Sequence, residues 1–196
     1  MVDPKVVDKL VKDGISIVSF KDGKIDSARI IRNARVDWDG RVCFRFSKHS
    51  RLAGYMKNTD AFTLSVLMEG TNVKAYEDLF LRFDTEWYEH NSKFSELKCI
   101  KRDQNGLNYI TDCTNAIISC KIDGITEDED YCIVCGIVTQ SQLLHDEPTL
   151  TDGVYYHSLK KRFAIYECVS CGMLYRLEYT EPDYCVYCNG RLWPVF

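Results

Sequence analysis

The residues with the clearest chemistry are two Cys-x-x-Cys pairs near the end of the chain. The first pair is Cys168 and Cys171, the second is Cys185 and Cys188, and thirteen residues lie between the pairs. A Cys-x-x-Cys turn presents both sulfur atoms on one side of a tight knuckle, so two facing knuckles enclose four thiolates in a tetrahedron. Four sulfur ligands suit zinc or iron. The spacing therefore predicts a four-cysteine metal site, whose metal holds a short segment folded.

The state of the ten cysteines depends on the compartment in which the chain works. The first residues, MVDPKVVDKLVKDG, mix charges among apolar residues and form no signal-peptide core. We therefore expect a reducing cytoplasm, where thiols are free or bound to metal, rather than a tail closed by disulfides. The longest apolar runs have the length of a strand, so we expect no membrane span.

Composition and charge narrow the classes of partner. The 196 residues suffice for one core and a small appendage, and the net charge is −4 at pH 7. An acidic chain without a basic stripe argues against a nucleic-acid partner. Residues 166–196 carry four carboxylates against two arginines, a balance that suits a basic redox protein as partner. The alternative is a solvated acidic face.

Short strands separated by tight turns account for most of the chain before the metal segment. Alternating and β-branched residues predict strands, apolar residues at helical spacing predict helices, and Asp22-Gly23 predicts a hairpin turn. The predicted helices cover residues 4–13, 50–58 and 75–82, and the predicted strands cover 15–20, 25–36, 42–46, 61–67, 107–111, 116–123 and 131–138. Residues 155–162 are predicted as a helix or a loop. This pattern indicates a mainly β fold, an antiparallel barrel.

The residues around the cysteine pairs carry a first resemblance. The motif Y-x-C-x-x-C-G-x-x-Y runs from Tyr166 to Tyr175, before the second pair. It resembles the rubredoxin domain of rubredoxins and rubrerythrins, which implies an iron centre held by four cysteine thiolates. Val186 and Asn189 stand where rubredoxins usually have Pro and Gly, and a zinc ribbon has the same four ligands. Iron is therefore the expected metal, and zinc is the alternative.

The order of elements over about residues 5–162 carries a second resemblance. Its stretches include Ile15-Ser-Ile-Val-Ser19 before the hairpin, Phe46-Ser-Lys-His-Ser-Arg-Leu52 before a helix, and Ala61-Phe-Thr-Leu-Ser-Val-Leu67. Together they resemble the flavin reductase family, whose fold is the FMN-binding split barrel. The resemblance implies a split barrel over residues 1–162 and a rubredoxin-like domain over residues 163–196. This is the layout of the high-molecular-weight rubredoxins of anaerobes.

The flavin reductase resemblance implies a homodimer and a set of flavin contacts, because the family binds FMN at the dimer interface. The phosphate would lie on a loop that supplies cations, a hydroxyl and free N–H groups at a helix start. The residues of this loop are Lys48, Ser50 and Arg51. The flavin ring would face Arg29, Arg32 and Asn33, and His157 would lie near the flavin face.

Three residues depart from the family's pattern at this expected flavin site. Ile31 and Arg32 stand in a strand where small polar residues are usual, and Leu52 stands where a Thr is common. An arginine beside the ring would stabilise reduced, anionic flavin or bind phosphate, and the alternative is that it points to solvent. FMN is thus the expected cofactor, and a barrel that has lost flavin is the alternative.

The remaining cysteines have no metal spacing, with one exception. Cys132 and Cys135 form a third Cys-x-x-Cys, but they lie in a β-branched run that predicts a strand. Residues three apart on a strand face opposite sides, so we expect buried thiols there, with neither metal nor disulfide. Thiols of the core or of loops are also expected at Cys43, Cys99, Cys113 and Cys120.

The two resemblances together imply an electron-transfer flavoprotein. FMN, reduced by NAD(P)H or by a donor protein, would pass electrons to the rubredoxin-type iron centre and on to a soluble acceptor such as an oxygen-scavenging diiron protein. No Rossmann fingerprint is present, so a nicotinamide would have to lie directly on the flavin. Two alternatives stay open. One is a flavin-free split-barrel binding module with structural zinc, and the other is a plain FMN reductase, an NAD(P)H oxidoreductase, with structural zinc.

Overall fold

The fold is given by a computed structural model. It describes residues 4–23, 25–70, 73–84, 93–94, 97–158, 163–168, 170, 174–178, 188 and 190–195. The chain divides into two compact units, Met1–Asp152 and Gly153–Phe196. None of the described helices combines the length and the apolar character needed to cross a membrane.

The first unit is built mainly from strands, as the alternation of apolar residues predicts. Its described helices are α1 (Pro4–Val11), α2 (Arg51–Met56) and α3 (Val73–Asp84). Its described strands are β1 (Ser16–Asp22), β2 (Ile25–Ile31), β3 (Arg35–Val36), β4 (Val42–Ser47), β5 (Ala61–Leu67), β6 (Ile100–Arg102), β7 (Asn108–Ile110), β8 (Thr114–Glu127) and β9 (Tyr131–Leu143). Helix α4 (Asp152–Ser158) begins where the first unit ends.

Seven of these strands form one antiparallel sheet in the order β2-β1-β5-β8-β9-β4-β3. Laid flat, six strand spacings of about 4.8 Å would put its edges roughly 29 Å apart. The edge strands β2 and β3 are joined only by residues 32–34, which span at most about 15 Å from Ile31 to Arg35 at 3.8 Å per residue. The sheet must therefore curl until its edges approach. The result is a barrel that is split between β2 and β3.

The core fills the inside of this curled sheet. Phe44 of β4 and Phe62 of β5 meet edge to face, with their ring centroids 5.1 Å apart. Val7 and Val11 lie four residues apart on α1, so one face of that helix packs into the same core. Helix α2 buries a similar stripe, which includes Leu52. These contacts fix both helices against the barrel.

The opposite face of the sheet carries small hydroxyl side chains in one row. Ser19, Thr63 and Ser119 are direct neighbours across β1, β5 and β8, and all three are buried. The hairpin of β6 and β7 covers this row, where Thr63 Oγ1 donates a hydrogen bond to Asp103. Small side chains leave room for the hairpin to approach the sheet.

One predicted strand is divided in the structure. The pattern predicts a continuous strand over residues 25–36, but β2 ends at Ile31 and β3 begins at Arg35. The apolar pattern continues through the break because Ile31 and Ala34 are both buried. The break is the point where the chain crosses from one edge of the sheet to the other.

The second unit contains a small antiparallel sheet in the order β11-β10-β12. Its strands are β10 (Phe163–Cys168), β11 (Leu174–Glu178) and β12 (Leu192–Val195). Cys168 is the last residue of β10 and pairs with Leu192, the first residue of β12. The sheet therefore places the first cysteine of the metal motif at its end. Cys171 and Cys185 lie outside the described residues.

Candidate functional site

The split between the two sheet edges borders a cavity of about 550 Å³. This volume lies within the range of small-molecule sites in proteins. We call it the seam cavity, because residues 32–35, which cross the split, line it. Its other walls come from α1, β4 and the β8–β9 hairpin. Its cationic residues are Lys12, Arg32, Arg35 and Arg45, and its carboxylates are Asp8, Asp13 and Asp128.

Asn33 fixes the crossing segment to the neighbouring strand. Its Nδ2 donates a hydrogen bond to the Arg45 carbonyl oxygen at 3.0 Å, and its Oδ1 accepts one from the Arg45 N–H at 3.2 Å. The amide thus replaces a strand partner beside β4, where β3 has not yet begun. One donor and one acceptor of this predicted flavin contact are therefore engaged by backbone.

Two arginines of the seam cavity have oriented side chains. Arg32 Nε lies 3.2 Å from Asp152 Oδ1, and the Arg32 guanidinium carbon lies 5.7 Å from the centroid of the Phe80 ring. The Arg45 guanidinium carbon lies 5.1 Å from the centroid of the Tyr131 ring. Aromatic faces attract cations at such distances, so these contacts help to hold both guanidinium groups in place. An anion entering the cavity would meet cations already in place.

Asp128 belongs to the same wall and is occupied by the turn that it caps. Its Oδ1 accepts hydrogen bonds from the N–H of Tyr131 at 2.6 Å and from the N–H of Asp130 at 2.9 Å. These bonds, the one from Tyr131 first, lower the pKa of Asp128. The carboxylate is therefore ionised at neutral pH and holds the β8–β9 turn in shape.

The predicted phosphate loop lies beside the seam cavity's strand β4. Lys48 Nζ donates to the Asp128 carbonyl oxygen at 3.3 Å, and Ser50 Oγ donates to the Ser47 carbonyl oxygen at 2.6 Å. Of the described residues in this loop, neither Lys48 nor Ser50 lines the cavity. Arg51 opens α2, but its side chain is outside what the structure describes.

The remaining residues of the predicted flavin site either do not line the seam cavity or have side chains outside the described structure. Arg29 lies on β2 opposite Val18 and does not line the seam cavity. His157 lies in α4, and its side chain is outside the described part of the structure. Ile31 and Leu52, which depart from the family's polar pattern, are core residues with 5% and 6% of their surface exposed. Their apolar character is explained by packing.

The structure corrects the prediction that Cys43 and Cys135 are separate thiols. These two residues are direct partners in the register of β4 and β9, and they form a disulfide with their Cα atoms 4.2 Å apart. The argument from spacing excluded a bond between Cys132 and Cys135, and Cys132 is indeed free. It did not consider a partner on the adjacent strand, because the sequence alone does not reveal which strands pair.

Two of the four predicted metal ligands are described, one from each Cys-x-x-Cys pair. The sulfur atoms of Cys168 and Cys188 lie 3.4 Å apart, although twenty residues separate them. Ligands at about 2.3 Å from a tetrahedral metal would lie about 3.8 Å from each other, so the approach is of the right size. A Cβ on Gly190 would lie 2.9 Å from Cys168 Sγ and would collide with Ser170. The glycine is required there because the chain passes close to the sulfur.

The sequence did not single out Lys12, Arg35 or Arg45 as residues of a site. Arg35 and Arg45 come together because β3 pairs with β4, and Lys12 follows the helix that packs beside β3. A weak signal was available in β4, where Arg45 interrupts the apolar residues Phe44 and Phe46. It marks the outer face of the strand without showing what lies on it.

No family model matches the sequence, and no curated protein is similar to it in sequence. Among solved structures, the chain is similar to a flavin reductase domain protein from Arthrobacter sp. FB24, with a TM-score of 0.58 and 16% identity over 74% of this chain and 86% of that one. It is similar to the NADH:FAD oxidoreductase of Streptomyces globisporus C-1027, with a TM-score of 0.59 and 17% identity over 76% and 90% of the two chains. It is also similar to the flavin reductase HpaC complexed with NADP+, with a TM-score of 0.59 and 16% identity over 88% and 95%. At these identities the likeness concerns the fold alone, and the chain has the mainly β antiparallel fold of split-barrel flavin reductases.

Proposed function

We propose that the protein is a flavin-binding redox protein that carries an iron centre with four cysteine ligands. The barrel, residues 1–162, would bind the flavin, and residues 163–196 would bind the metal in a rubredoxin-like domain. The observation that carries the proposal is a cavity with oriented cations on a fold shared with flavin reductases. The pair Cys168 and Cys188 supports the metal site.

The lining of the seam cavity fits a phosphate-bearing cofactor. Arg32 and Arg45 present guanidinium groups, which pair with phosphate oxygens through charge-assisted hydrogen bonds. The volume of about 550 Å³ admits an organic cofactor as well as its phosphate. When bound, FMN would supply the exchange between a two-electron donor, such as NAD(P)H or a donor protein, and a one-electron metal centre. The residues of the chain bind and orient it.

The metal centre would transfer electrons to a soluble acceptor such as an oxygen-scavenging diiron protein. Cys168 and Cys188 would be two of its four thiolate ligands, with Cys171 and Cys185 as the others. A homodimer and a redox protein partner also follow from the resemblance to the two families. Zinc in place of iron would leave a flavin reductase whose metal is structural.

One observation favours a second candidate, a flavin-free binding module with structural zinc. Asn33, the predicted polar contact to the ring, is bonded to the backbone of Arg45. Ile31 precedes it as a core residue, so this strand offers the ring few free polar groups.

A flavin titration distinguishes the two candidates. FMN, and separately FAD, is added to the full chain while flavin fluorescence is recorded, and Arg45→Glu is compared with the unchanged protein. We expect quenching by the unchanged protein and an affinity roughly tenfold or more lower in Arg45→Glu, because a charge-assisted contact becomes a repulsion. Lys101→Glu, an exposed charge reversal on β6, is the control and should bind as the unchanged protein does. Absence of quenching by the unchanged protein would favour the flavin-free module.

A further inference from the structure

The disulfide between Cys43 and Cys135 lies on the outer face of the barrel at the wall of the seam cavity. We propose that it is a thiol–disulfide exchange site, which an external dithiol reduces and an external disulfide re-forms. The register of β4 and β9 brings the two cysteines together, and the proposed flavin and metal chemistry does not use their bond. That this bond meets reducing conditions follows from the proposed four-cysteine metal site.

The two residues of the bond differ in exposure. On β4, Cys43 and Arg45 share the face opposite the core residues Val42 and Phe44. Cys43 is 3% exposed and lines the seam cavity, whereas its partner Cys135 is partly exposed on β9. Because Cys135 is the more exposed residue, we expect an incoming thiolate to attack it, with Cys43 as the leaving group.

A charged cluster lies beside the Cys43 sulfur. Asp37 Oδ2 lies 3.7 Å from Cys43 Sγ, and the same oxygen accepts hydrogen bonds from Arg41 Nε and Arg41 Nη2, each at 2.8 Å. Arg41 also contacts Asp39 at 3.2 Å and Asp123 at 3.0 Å. A thiolate formed at Cys43 would thus meet a carboxylate whose charge is partly compensated by one guanidinium. The rate of exchange should depend on this balance.

The rest of the chain requires conditions in which thiols survive. Four other described cysteines, Cys99, Cys113, Cys120 and Cys132, form no disulfide. Cys168 and Cys188 are the two described ligands of the proposed metal site. If those two bind metal, as proposed above, they must remain thiolates while the protein works. A disulfide under such conditions is exposed to thiol reductants, and bonds of this kind are usually transient and catalytic or redox-sensing.

The proposed exchange takes place in two steps, in which bonds, protons and electrons balance. The thiolate of a dithiol attacks Cys135 Sγ, the bond to Cys43 breaks, and Cys43 leaves as a thiolate that takes up a proton. The second thiol of the reductant then loses its proton and attacks its own sulfur in the mixed disulfide, which releases Cys135 as a thiolate that is protonated in turn. The dithiol is oxidised to a disulfide, and the cysteine pair gains two electrons and two protons.

The test uses the full-length protein in a series of glutathione buffers, from fully oxidised to fully reduced, with circular dichroism to follow the fold. Free thiols are alkylated with iodoacetamide, and the peptides containing Cys43 and Cys135 are quantified by mass spectrometry. We expect both cysteines to become alkylated together, with a midpoint inside the series and an unchanged native spectrum. Reduction by dithiothreitol should be about threefold or more faster in Asp37→Asn, which removes the negative charge beside the leaving sulfur.

Matched variants make each outcome decisive. Cys132→Ala changes a buried cysteine three residues from Cys135 and should leave the midpoint unchanged. In Cys135→Ser, Cys43 can only be alkylated or joined to glutathione in a mixed disulfide, so its midpoint should differ from that of the pair in the unchanged protein. Should this variant not fold, Cys43→Ser is the reciprocal measurement on Cys135. A pair that resists alkylation until denaturant is added would be a structural bond and would overturn the proposal, as would two thiols that remain free in oxidised glutathione. The readout involves neither flavin nor metal, so its failure is distinguishable from failure of the proposed function.

Discussion

Single side chains determine the geometry of the seam, where the chain leaves one sheet edge for the other. Asn33 binds both backbone groups of Arg45, and the next residue back, Arg32, is oriented by Asp152 and Phe80. The crossing segment is therefore fixed by side chains in a place where strand hydrogen bonds are absent. Cations that are positioned before a ligand arrives lose little entropy when it binds.

Asp37 gives a prediction at the same scale. Burial acts to raise the pKa of Asp37, but hydrogen bonds from the backbone and side chain of Arg41 outweigh it and hold the pKa below its ordinary value of 3.8. Because the folded-state pKa is lowered, this carboxylate contributes stability fully above pH 3.8 and loses it as the pH falls through the folded-state value. Asp37→Asn should therefore lower the free energy of unfolding by about 1 kcal/mol at neutral pH. As the pH is lowered into the acid range, the free energy of unfolding should also decrease less in the variant than in the unchanged protein.

Urea unfolding at a series of pH values measures this contribution. Asp37→Asn retains the Oδ1 acceptor for the N–H groups of Asp39 and Arg41, whereas it removes the charge and the Oδ2 acceptor of the Arg41 guanidinium. Asp39 is a more exposed carboxylate that pairs with the same guanidinium. Asp39→Asn is the control and should change the decrease of stability at acid pH little. If the free energy of unfolding decreased equally with falling pH in Asp37→Asn and in the unchanged protein, the Asp37–Arg41 pair would contribute nothing to stability.

At the scale of elements, β8 and β9 form the long hairpin on which the barrel depends. Gly136 of β9 lies against β8 so closely that a Cβ would be 2.7 Å from Phe62 Cε1, 2.9 Å from Cys120 Cβ and 3.0 Å from the Lys121 carbonyl oxygen. Gly136→Ala should therefore destabilise the protein by about 1–3 kcal/mol, because the hairpin and the core must shift to admit one methyl group. The midpoint of urea unfolding reports the loss.

Gly124 provides the matched glycine on the partner strand. A Cβ built there has no neighbour within 4 Å, so Gly124→Ala should keep the stability within about 0.5 kcal/mol of the unchanged protein. Equal effects of the two substitutions would mean that the close packing at Gly136 is relaxed at little cost.

Elements with a clear period were predictable, whereas their pairing was not. The strand over 61–67 coincides with β5, and the helix over 50–58 contains α2. Strand β6 was missed because Ile100–Arg102 has one apolar residue among charges and is stabilised by pairing with β7. The bond between Cys43 and Cys135 was missed for the same physical reason. Register is a property of two distant segments, and no local pattern encodes it.

The candidate sites show the same contrast between local sequence patterns and tertiary contacts. A local spacing predicted the cysteine ligands, and Cys168 and Cys188 do approach each other. The cations of the seam cavity come from α1, β3 and β4 and adjoin only through the tertiary fold, so Lys12, Arg35 and Arg45 could not be recognised as a group. Arg32 and Asn33 were recognised through the resemblance to flavin reductases, and both line the cavity.

For the whole molecule, we propose one redox group in each part of the chain. The split barrel has a cavity lined by oriented arginines, and the second unit brings together two cysteines from separate Cys-x-x-Cys pairs. A flavin exchanges electrons in pairs with hydride donors, and an iron held by four cysteines exchanges them singly. Both groups in one chain would connect a two-electron donor to a one-electron acceptor.

The most direct test is the visible absorption spectrum of the full-length protein from iron-replete cells, with flavin and metal released and quantified. We expect flavin and iron in equal amounts, with the absorption of both, and loss of the iron absorption alone in Cys168→Ser. Zinc without flavin, even after reconstitution with FMN and iron, would contradict the redox account and leave a binding module with a structural metal.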